Sequence, residues 1–423
     1  MPDGGLLPAE RLFDPLRAGP GAGGTDEHIR KMLRIIRTHL DMDVAFVSEF
    51  TGGRRVFRHV DAGVPGAVVD GGSDALEDSY CQRVADGRLP RLMQDACANE
   101  EALSLPVTRA LPVGAHLSVP LRTRGGQVYG TFCCFSHAPD MSLTARDLSV
   151  MEAFAAIVAE HINDDLDRER DRSLTLDRVS FCIENAAFHV RYQPIYRLHD
   201  DTVAAFECLT RFEGEPYRSP DKWFDEAARV GLGDEMELAV ARKALQAMSS
   251  FPSDVALTVN FSPATILSHA CAAFLRTLPL ERLVLEVTEH AAVANYSELS
   301  ACLQPFRERG LQLAVDDAGA GHSSFRHVLD LRPDTIKLDM SLTRHIDQDL
   351  GRQALAGALA MFGRAMGSQI VAEGVETPEE LDALRRVGVT KVQGFLTGRP
   401  MPLPDALALP GVVHKSLARR RRS

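Results

Sequence analysis

Apolar positions along the chain follow two rhythms, and the change between them falls near residue 175. Before that point, residues 26–40 carry apolar side chains at helical spacing, and β-type runs follow at 44–50 and 54–60. A short Thr-Gly-Gly segment separates these two runs, which predicts a hairpin. Two further runs, 116–121 and 127–135, flank a second Gly-Gly. This half therefore predicts a small α+β domain with an antiparallel sheet.

A long helix is predicted over residues 143–172. Between Leu148 and Ile162 its apolar residues alternate at steps of three and four. This stripe has two interpretations: a coiled-coil seam, or a face that packs on the domain's own sheet. The mixed-charge segment 163–172 is either a solvated helix or a linker, and we place the domain boundary there.

The second half alternates short β-branched or apolar runs with helix-length segments such as 235–248 and 352–366. About eight strands with intervening helices predict an α/β fold, a TIM-like (β/α)8 barrel. The predicted strands are 190–196, 203–212, 255–260, 283–286, 311–316, 335–338, 369–373 and 391–394.

The domain organisation that follows has five parts. Residues 1–24, rich in Gly and Pro, are predicted to be a flexible leader. Residues 25–165 form the small domain, 166–174 a helical linker and 175–411 the barrel. Residues 412–423 form a basic tail, interpreted as a solvated end.

Charge and cysteine usage exclude several classes of protein. The net charge of -11 over 423 residues argues against binding of a nucleic acid polymer through a basic surface. The eight cysteines form no Cys-x-x-Cys pair, which favours reduced thiols. No apolar stretch is long enough for membrane insertion and the start has no signal-peptide pattern, so we expect a cytoplasmic protein.

Polar residues close several of the predicted barrel strands. The C-terminal ends of barrel strands meet on one face, where catalytic groups gather. One acid at a strand end is ordinary, whereas five such polar residues at the ends of four strands are hard to explain by structure alone. The residues at the ends are Asn260, Glu286, Asp316, Asp317 and Glu373, and the runs also carry Glu207, Arg211, Lys337, Asp339 and Gln393.

Clustered carboxylates need compensating positive charge if they are to stay ionised together. Divalent cations supply it, and carboxylate and amide oxygens point to Mg²⁺ or Mn²⁺. The adjacent acids Asp316 and Asp317 could serve two ions, an arrangement suited to attack on a phosphodiester. Lys337 is a further cation for a phosphate or for the attacking water.

Taken together, these motifs resemble the EAL family of cyclic di-GMP phosphodiesterases over about Val190 to Pro400. The name-giving motif stands here as Glu207-Cys208-Leu209. The other matching segments, in order, are Tyr192–Ile195, Val259–Pro263, Leu285–Glu289, Val315–Asp317, Ile336–Asp339, Ala372–Thr377 and Val392–Phe395.

The resemblance implies a role for each matching residue in the hydrolysis of cyclic di-GMP to linear pGpG. It implies that Lys337 and Glu373 bind and activate the water, that Glu289 steadies the loop after Asp317, and that Glu376 completes the metal and water shell. The implied ligands of two Mg²⁺ or Mn²⁺ ions are Glu207, Asn260, Glu286, Asp316 and Asp317. The implied substrate-site residues are Gln193, Leu209, Arg211, which would contact a phosphate, and Gln393, which also completes the metal and water shell.

Two departures from the family pattern stand out. Cys208 replaces the central Ala of the name-giving motif, and we interpret it as a small packing residue. The family loop Asp-Asp-Phe-Gly-Thr-Gly-Tyr-Ser-Ser reads here Asp-Asp-Ala-Gly-Ala-Gly-His-Ser-Ser from Asp316. In the family this loop couples dimerisation to metal binding, so the changes from Ala318 to His322 leave regulation and turnover rate open.

Residues 26–165 resemble a GAF domain in the order of their elements and in runs such as Gly114–Pro120 and Val128–Phe132. The resemblance implies a sensor that binds an unknown small ligand, and a homodimer. Cys81 and the pair Cys133-Cys134 invite ligand attachment, but buried packing is the ordinary role of such residues.

Two alternatives to the phosphodiesterase remain at this point. One is a catalytically weak or inactive cyclic di-GMP receptor that signals through a protein partner. The other is a metal-dependent barrel enzyme that acts on an unrelated phosphorylated substrate. Relatives that act only as receptors typically lack metal ligands or the lysine, whereas Glu207, Asn260, Asp316 and Lys337 are all present.

Overall fold

The computed structural model describes residues 24–64, 66, 68–214, 217–287, 295–318, 324–410 and 412. For residues 24, 25, 317, 318 and 324–327 it describes the backbone alone. The predicted leader up to residue 23, the tail from residue 413 and the loop segment 319–322 lie outside these residues. The chain divides into two compact units between Asp171 and Arg172. The boundaries inferred from the sequence stay predictions.

The first unit is an antiparallel sheet with helices. Its strands are β1 Val44–Thr51, β2 Arg54–Ala62, β3 Ser73–Ala75, β4 Leu92–Met93, β5 His116–Arg122 and β6 Val128–Phe135. Its helices are α1 Gly24–His39, α2 Tyr80–Ala85, α3 Glu100–Ser104, α4 Pro106–Ala110 and the first part of α5 Ala145–Glu184.

The six strands have the order β3-β2-β1-β6-β5-β4, and every neighbouring pair is antiparallel. The predicted hairpin is confirmed: β1 pairs with β2 across Gly52 and Gly53, whose φ angles are 56° and 73°. Positive φ at both central positions is the backbone that a tight hairpin turn requires, and glycine adopts it without strain. The short strands β3 and β4 carry too little pattern to be predicted.

Both faces of this sheet are buried, and each has its own apolar core. Successive residues of a strand point to opposite faces. On β6, Phe132 and Cys134 therefore join the core that includes α1, whereas Cys133 and Phe135 join the core that includes α2. Because neither face is solvated, β6 shows a continuous apolar run in place of an alternating pattern.

Helix α5 begins close to the predicted start but ends at Glu184, twelve residues beyond the predicted end at 172. Its first apolar stripe, which includes Met151 and Val158, is buried in the core of the first unit, as the sheet-packing interpretation requires. The mixed-charge segment is helical, with an ion pair of 2.8 Å between Asp165 and Arg168 one turn apart. Beyond it, Val179 is buried in a cluster of the second unit, so the helix continues.

The second unit is a closed eight-stranded barrel, which confirms the predicted fold class. Its strands are β7 Phe188–Arg197, β8 Thr202–Phe212, β9 Ala256–Phe261, β10 Leu283–Val287, β11 Gln312–Ala318, β12 Thr335–Leu338, β13 Gln369–Ala372 and β14 Lys391–Val392. Its helices after α5 are α6 Pro220–Val230, α7 Gly233–Leu245, α8 Pro263–Leu267, α9 His269–Leu275, α10 Tyr296–Arg307, α11 Ser324–Leu331, α12 Met340–Thr343, α13 Leu350–Met366, α14 Pro378–Val387 and α15 Leu403–Ala408.

One strand of the barrel departs from the all-parallel pattern. Strand β7 runs antiparallel to both of its neighbours, β8 and β14, whereas the other pairs are parallel. Only residues 198–201 separate β7 from β8. A parallel crossover needs a dozen or more residues, so this connection can form only a hairpin. Among the described residues, no helix is both long and apolar enough to cross a bilayer.

Candidate active site

The barrel brings most of the sequence-predicted polar residues to one end. Parallel pairing places Glu286 on β10 beside Asn260 on β9. The antiparallel hairpin places Gln193 on β7 opposite Glu207 on β8. The register of the strands, and not proximity in sequence, creates this cluster.

Lys337 on β12 lies at the centre of the cluster and is 1% exposed. Its Nζ atom is 2.6 Å from Oε1 of Glu373, 3.0 Å from Oε2 of Glu286 and 3.2 Å from Oδ1 of Asp316. Oε1 of Glu207 is 3.8 Å away. One ammonium group therefore serves four carboxylates, which leaves the cluster with an excess of negative charge.

The electrostatics of the cluster follow from this imbalance. Burial raises the pKa of Glu286 well above its ordinary value, although the charge of Lys337 acts in the opposite direction. Burial likewise raises the pKa of Glu373 to about 7, again against the effect of Lys337. For Lys337 itself, burial acts to lower the pKa, but Glu207 and the other acids raise it well above the ordinary value. The lysine is therefore held as a cation.

Two amide side chains complete the cluster and leave oxygen atoms without partners. Nδ2 of Asn260 donates to Oε1 of Glu207 at 3.4 Å, and Nε2 of Gln393 donates to Oε2 of the same carboxylate. Gln393 also lies 3.1 Å from Oε1 of Gln193. Oδ1 of Asn260 and Oε1 of Gln393 are buried and have no hydrogen-bond partner among the described residues. A buried acceptor without a partner is costly unless a ligand satisfies it.

These donors fit divalent cations. Hard cations prefer carboxylate and amide oxygens, and the cluster offers Glu207, Glu286, Asp316 and the unsatisfied Oδ1 of Asn260. In the part of the chain that the structure describes, no three His, Cys, Asp or Glu side chains already stand in the geometry of a metal site. The ammonium of Lys337 lies between the acids, so metal binding requires the side chains to rearrange around it.

The loop after β13 is fixed by Gly374, inside the matched segment, and by Glu380, which lies beyond it and which motif matching does not identify. Gly374 follows Glu373 with φ of 66°, and a Cβ atom there would lie 2.6 Å from Cβ of Met340, so only glycine fits. The carboxylate of Glu380, 2% exposed, accepts from the backbone N–H groups of Glu376 and Thr377 at 2.8 and 3.1 Å. Burial acts to raise the pKa of Glu380, but its backbone hydrogen bonds lower it below the ordinary value. The Thr-x-x-Glu spacing of this capping box is visible in the sequence.

Several predicted site residues lie away from Lys337 or outside the description. Glu376 forms an ion pair of 2.5 Å with Arg344. Arg211 is exposed, and its Nη1 donates to the carbonyl of Thr210 at 2.7 Å. Leu209 is half-buried on β8. Glu289 and the side chain of Asp317 lie outside the described residues.

The substitution in the name-giving motif has a simple structural setting. Cys208 is buried in the apolar core of the barrel, next in sequence to Glu207. Burial raises the pKa of its thiol well above the ordinary value. The side chain therefore fills space as a neutral apolar group, in agreement with the packing interpretation.

The closed barrel, with acidic and amide groups gathered at the carboxyl ends of its strands, defines an α/β-barrel protein with a candidate cation-binding polar centre. The family model of the EAL domain matches residues 142–400. The chain belongs to the EAL-domain family. A family model of the GAF domain matches residues 24–163.

Curated relatives carry names that indicate their activity. The chain is 29% identical over 254 residues to the cyclic di-GMP phosphodiesterase PdeF of Escherichia coli K12, which covers 57% of this chain and 34% of that protein. It is 32% identical over 229 residues to the cyclic di-GMP phosphodiesterase NbdA of Pseudomonas aeruginosa, covering 51% of this chain and 29% of that protein. The chain thus spans about a third of the length of these relatives.

A solved structure supports the fold alone. The EAL domain of Xanthomonas citri FimX, in complex with c-diGMP, matches 56% of this chain and 96% of its own. The TM-score is 0.50 and the sequence identity is 19%.

Proposed function

We propose that the barrel is a metal-dependent phosphodiesterase that hydrolyses cyclic di-GMP to linear pGpG. The observation that carries the proposal is the excess of carboxylates around Lys337 together with the unsatisfied Oδ1 of Asn260. The names of PdeF and NbdA, relatives over the barrel, support cyclic di-GMP as the substrate. The proposal includes a cytoplasmic homodimer regulated by a small ligand of the N-terminal domain.

The proposed ligands of two Mg²⁺ or Mn²⁺ ions are Glu207, Asn260, Glu286, Asp316 and Asp317. When bound, such ions lower the pKa of a water molecule and offset charge on the phosphoryl oxygens. The chain itself supplies oxygen ligands on four adjacent strands, β8 to β11. Rigid strands hold such donors more precisely than loops do.

Lys337 and Glu373 are the groups proposed to bind and orient the attacking water. Nζ of Lys337 can donate three hydrogen bonds, and a carboxylate oxygen of Glu373 lies within 2.6 Å of it. The pair therefore presents one donor and one acceptor side by side. Glu376 is proposed to complete the metal and water shell, and Glu289 to steady the loop after Asp317. The backbone N–H of Glu376 donates to the buried carboxylate of Glu380, which supports the segment that carries Glu376.

Four residues are proposed to bind the dinucleotide. Gln193 and Gln393 are buried and hydrogen-bonded to each other. Leu209 offers an apolar contact. Arg211 is exposed, so its guanidinium can turn from the carbonyl of Thr210 to a phosphate, whose geometry it matches.

The test is hydrolysis by the full chain. Purified protein is incubated with cyclic di-GMP and Mg²⁺, Mn²⁺ or Ca²⁺, and the products are separated by chromatography. We expect pGpG with Mg²⁺ or Mn²⁺, and none from Glu207→Ala, because this carboxylate contacts Lys337, Asn260 and Gln393. Glu308→Ala, at an exposed position after α10, is the matched control and should retain full activity.

Binding is measured beside turnover, because a receptor would also bind the dinucleotide. Calorimetry on the wild-type chain then separates the two functions. Tight binding without any pGpG at every metal would contradict the phosphodiesterase and favour the receptor. The absence of both binding and cleavage would contradict the phosphodiesterase and the receptor alike.

A further inference from the structure

One core of the N-terminal sheet contains a line of polar side chains that the proposed function does not use. Thr131 and Cys133 on β6 and Ser118 on β5 point to the same buried face. Ser48 on β1 lies 2.9 Å from Thr131, oxygen to oxygen. Every one of these residues is 0% exposed. Buried polar groups are retained where they are hydrogen-bonded, so this line forms a defined network.

Two thiols belong to this network. Sγ of Cys81, on α2, lies 3.4 Å from Sγ of Cys133. Both residues are 0% exposed. Sγ of Cys133 is also 3.0 Å from the hydroxyl of Ser118 and 3.1 Å from that of Thr131. The helix and the strand therefore bring together two cysteines that are 52 residues apart in sequence.

A buried arginine lies against one of the two thiols. Arg55 is 4% exposed, and its Nη1 is 3.0 Å from Sγ of Cys81. The opposite edge of the guanidinium pairs with Asp74, and its carbon atom lies 4.8 Å from the ring centre of Phe57. An arginine does not deprotonate in a protein, so Cys81 has a permanent positive charge beside it.

The two thiols are not equivalent. Burial acts to raise the pKa of Cys81, but the hydrogen bond with Cys133 and the charge of Arg55 lower it to about 6. Burial raises the pKa of Cys133 well above the ordinary value, and the thiol of Cys81 raises it further. Such an unequal pair provides one nucleophilic thiolate and one protonated thiol in contact with it.

An internal space adjoins the arginine. The centre of a water-sized molecule can occupy a volume of about 20 Å³ there, and the lining includes Arg55, Tyr80 and His116 among apolar side chains. Nδ1 of His116 is buried and has no hydrogen-bond partner in the described part of the chain. On this measure a cavity needs about 10 to 15 Å³ to hold one water molecule. The space therefore holds about one water-sized molecule, beside the arginine that contacts Cys81.

We propose that Cys81 and Cys133 form an oxidation site at which hydrogen peroxide converts the two thiols to a disulfide. The thiolate of Cys81 attacks one peroxide oxygen, the O–O bond breaks, and hydroxide leaves to take up a proton as water. The sulfenic acid at Cys81 then receives the sulfur of Cys133. The S–O bond breaks, and the departing hydroxyl takes the proton of Cys133 as a second water. Two thiols are oxidised and one peroxide is reduced to two waters.

The geometry requires only a small movement. The sulfur atoms must approach from 3.4 Å to a bond length of about 2.05 Å. Side-chain rotation of a helical cysteine towards a strand can supply this approach. The inference does not depend on the proposed function of the barrel, because it concerns side chains of the first unit alone.

The test is peroxide treatment of the full chain in a Cys97→Ser background, which removes the exposed cysteine. After alkylation of free thiols and digestion with trypsin without a reducing agent, mass spectrometry identifies linked peptides. We expect a linkage between peptides 59–83 and 125–146 and the loss of two free thiols per chain. Peptide 125–146 contains both Cys133 and Cys134, so variants must assign the bond.

Cys134→Ser is the matched control. Cys134 is the next residue on β6 and equally buried, but it belongs to the core on the opposite face of the sheet. The linkage should persist in Cys134→Ser and vanish in Cys133→Ser. In Cys133→Ser, a dimedone adduct should mark the sulfenic acid at Cys81. In Cys81→Ser, neither the linkage nor an adduct at Cys133 should form.

Three results would overturn the proposal. The first is complete alkylation of Cys81 and Cys133 after peroxide treatment and unfolding of the wild-type chain. The second is a linkage that survives in Cys133→Ser but not in Cys134→Ser. The third is oxidation of Cys133 in the absence of Cys81. The first result is obtained with the wild-type chain, so the proposal can be contradicted even if a variant fails to fold.

Discussion

Among the described residues, each unit has a cation that is almost fully buried, and the two cations are neutralised in different ways. Arg55 in the sheet unit pairs with a single carboxylate, Asp74, and stacks near Phe57. Lys337 in the barrel contacts four carboxylates. Transfer of an unpaired charge out of water is costly, so both cations need partners. One acid is enough for Arg55, whereas the acids around Lys337 exceed what one lysine can balance.

The ratio of carboxylates to cations distinguishes two kinds of buried charge. A matched pair such as Arg55 and Asp74 is complete in itself, and its remaining effect is on the thiol beside it. The unmatched cluster has more carboxylates than its one ammonium group can balance, which is the property expected of a site that binds divalent cations.

The largest effect is expected for Lys337→Met. Loss of the ammonium removes the charge that holds Glu286 and Glu373 together and the proposed donor to the water. We expect hydrolysis to fall by about 10³-fold, the size found when one preorganised electrostatic donor is lost. The measurement is the rate of pGpG formation at saturating metal.

Lys391→Met is the matched control for that variant. Lys391 begins β14 and lines a surface cavity with Arg197 and Gln369, apart from the acids around Lys337, and burial lowers its pKa to about 8. Its removal should leave hydrolysis near the wild-type rate. Equal losses in the two variants would show that any buried lysine of the barrel matters in the same way, and would remove the special status of Lys337.

A smaller effect is expected for Asn260→Ala. This change removes the buried Oδ1 atom, which has no hydrogen-bond partner among the described residues. If that atom binds a cation, the Mn²⁺ concentration for half-maximal activity should rise by about 10 to 100-fold. Titration of activity with Mn²⁺ measures it.

Thr258→Val serves as the comparison for Asn260. Thr258 lies two residues earlier on β9 and is buried, and its Oγ1 atom likewise lacks a partner within the described residues. Thr258 is not among the proposed ligands, so the Mn²⁺ concentration that the Thr258→Val variant requires should stay close to that of the wild type. A shift of the same size in both variants would indicate a packing effect in place of a lost ligand.

The smallest effect is a weak pH dependence in the sheet unit. A thiol with a pKa of about 6 is still half ionised at pH 6. Formation of the Cys81–Cys133 linkage should therefore slow by only about 2-fold between pH 8 and pH 6. A small free thiol with a pKa near 8.5, oxidised in the same buffers, should slow by roughly 80-fold. Similar slowing of both reactions would show that Arg55 does not stabilise the thiolate.

The sequence was sufficient to predict the barrel strands because each is a compact apolar run between polar segments. It also contained the evidence for the antiparallel start, since six residues between the predicted strands 190–196 and 203–212 cannot hold a crossover helix. The true end of α5 was harder to predict. Its middle is polar on all sides, and a solvated helix of this composition resembles a linker.

The sequence predicted several residues of the cluster around Lys337 but not their arrangement. Strand ends identified Asn260, Glu286 and Asp316, whereas the central position of Lys337 depends on the registers of several strands at once. The contact between the two thiols could not be predicted from the sequence for a similar reason. Cys81 lies on a short helix, and only the packing of that helix brings it to Cys133.

The antiparallel strand also has a consequence for the order of folding during synthesis. Strand β7 is the first of the barrel to leave the ribosome, and its partner β14 is the last. The pairs Arg197 with Lys391 and Tyr196 with Val392 close the ring. Contacts between such distant segments form slowly because a long loop must be closed first. The sheet unit, complete some 200 residues earlier, can fold while the barrel is still an open sheet with two unpaired edges.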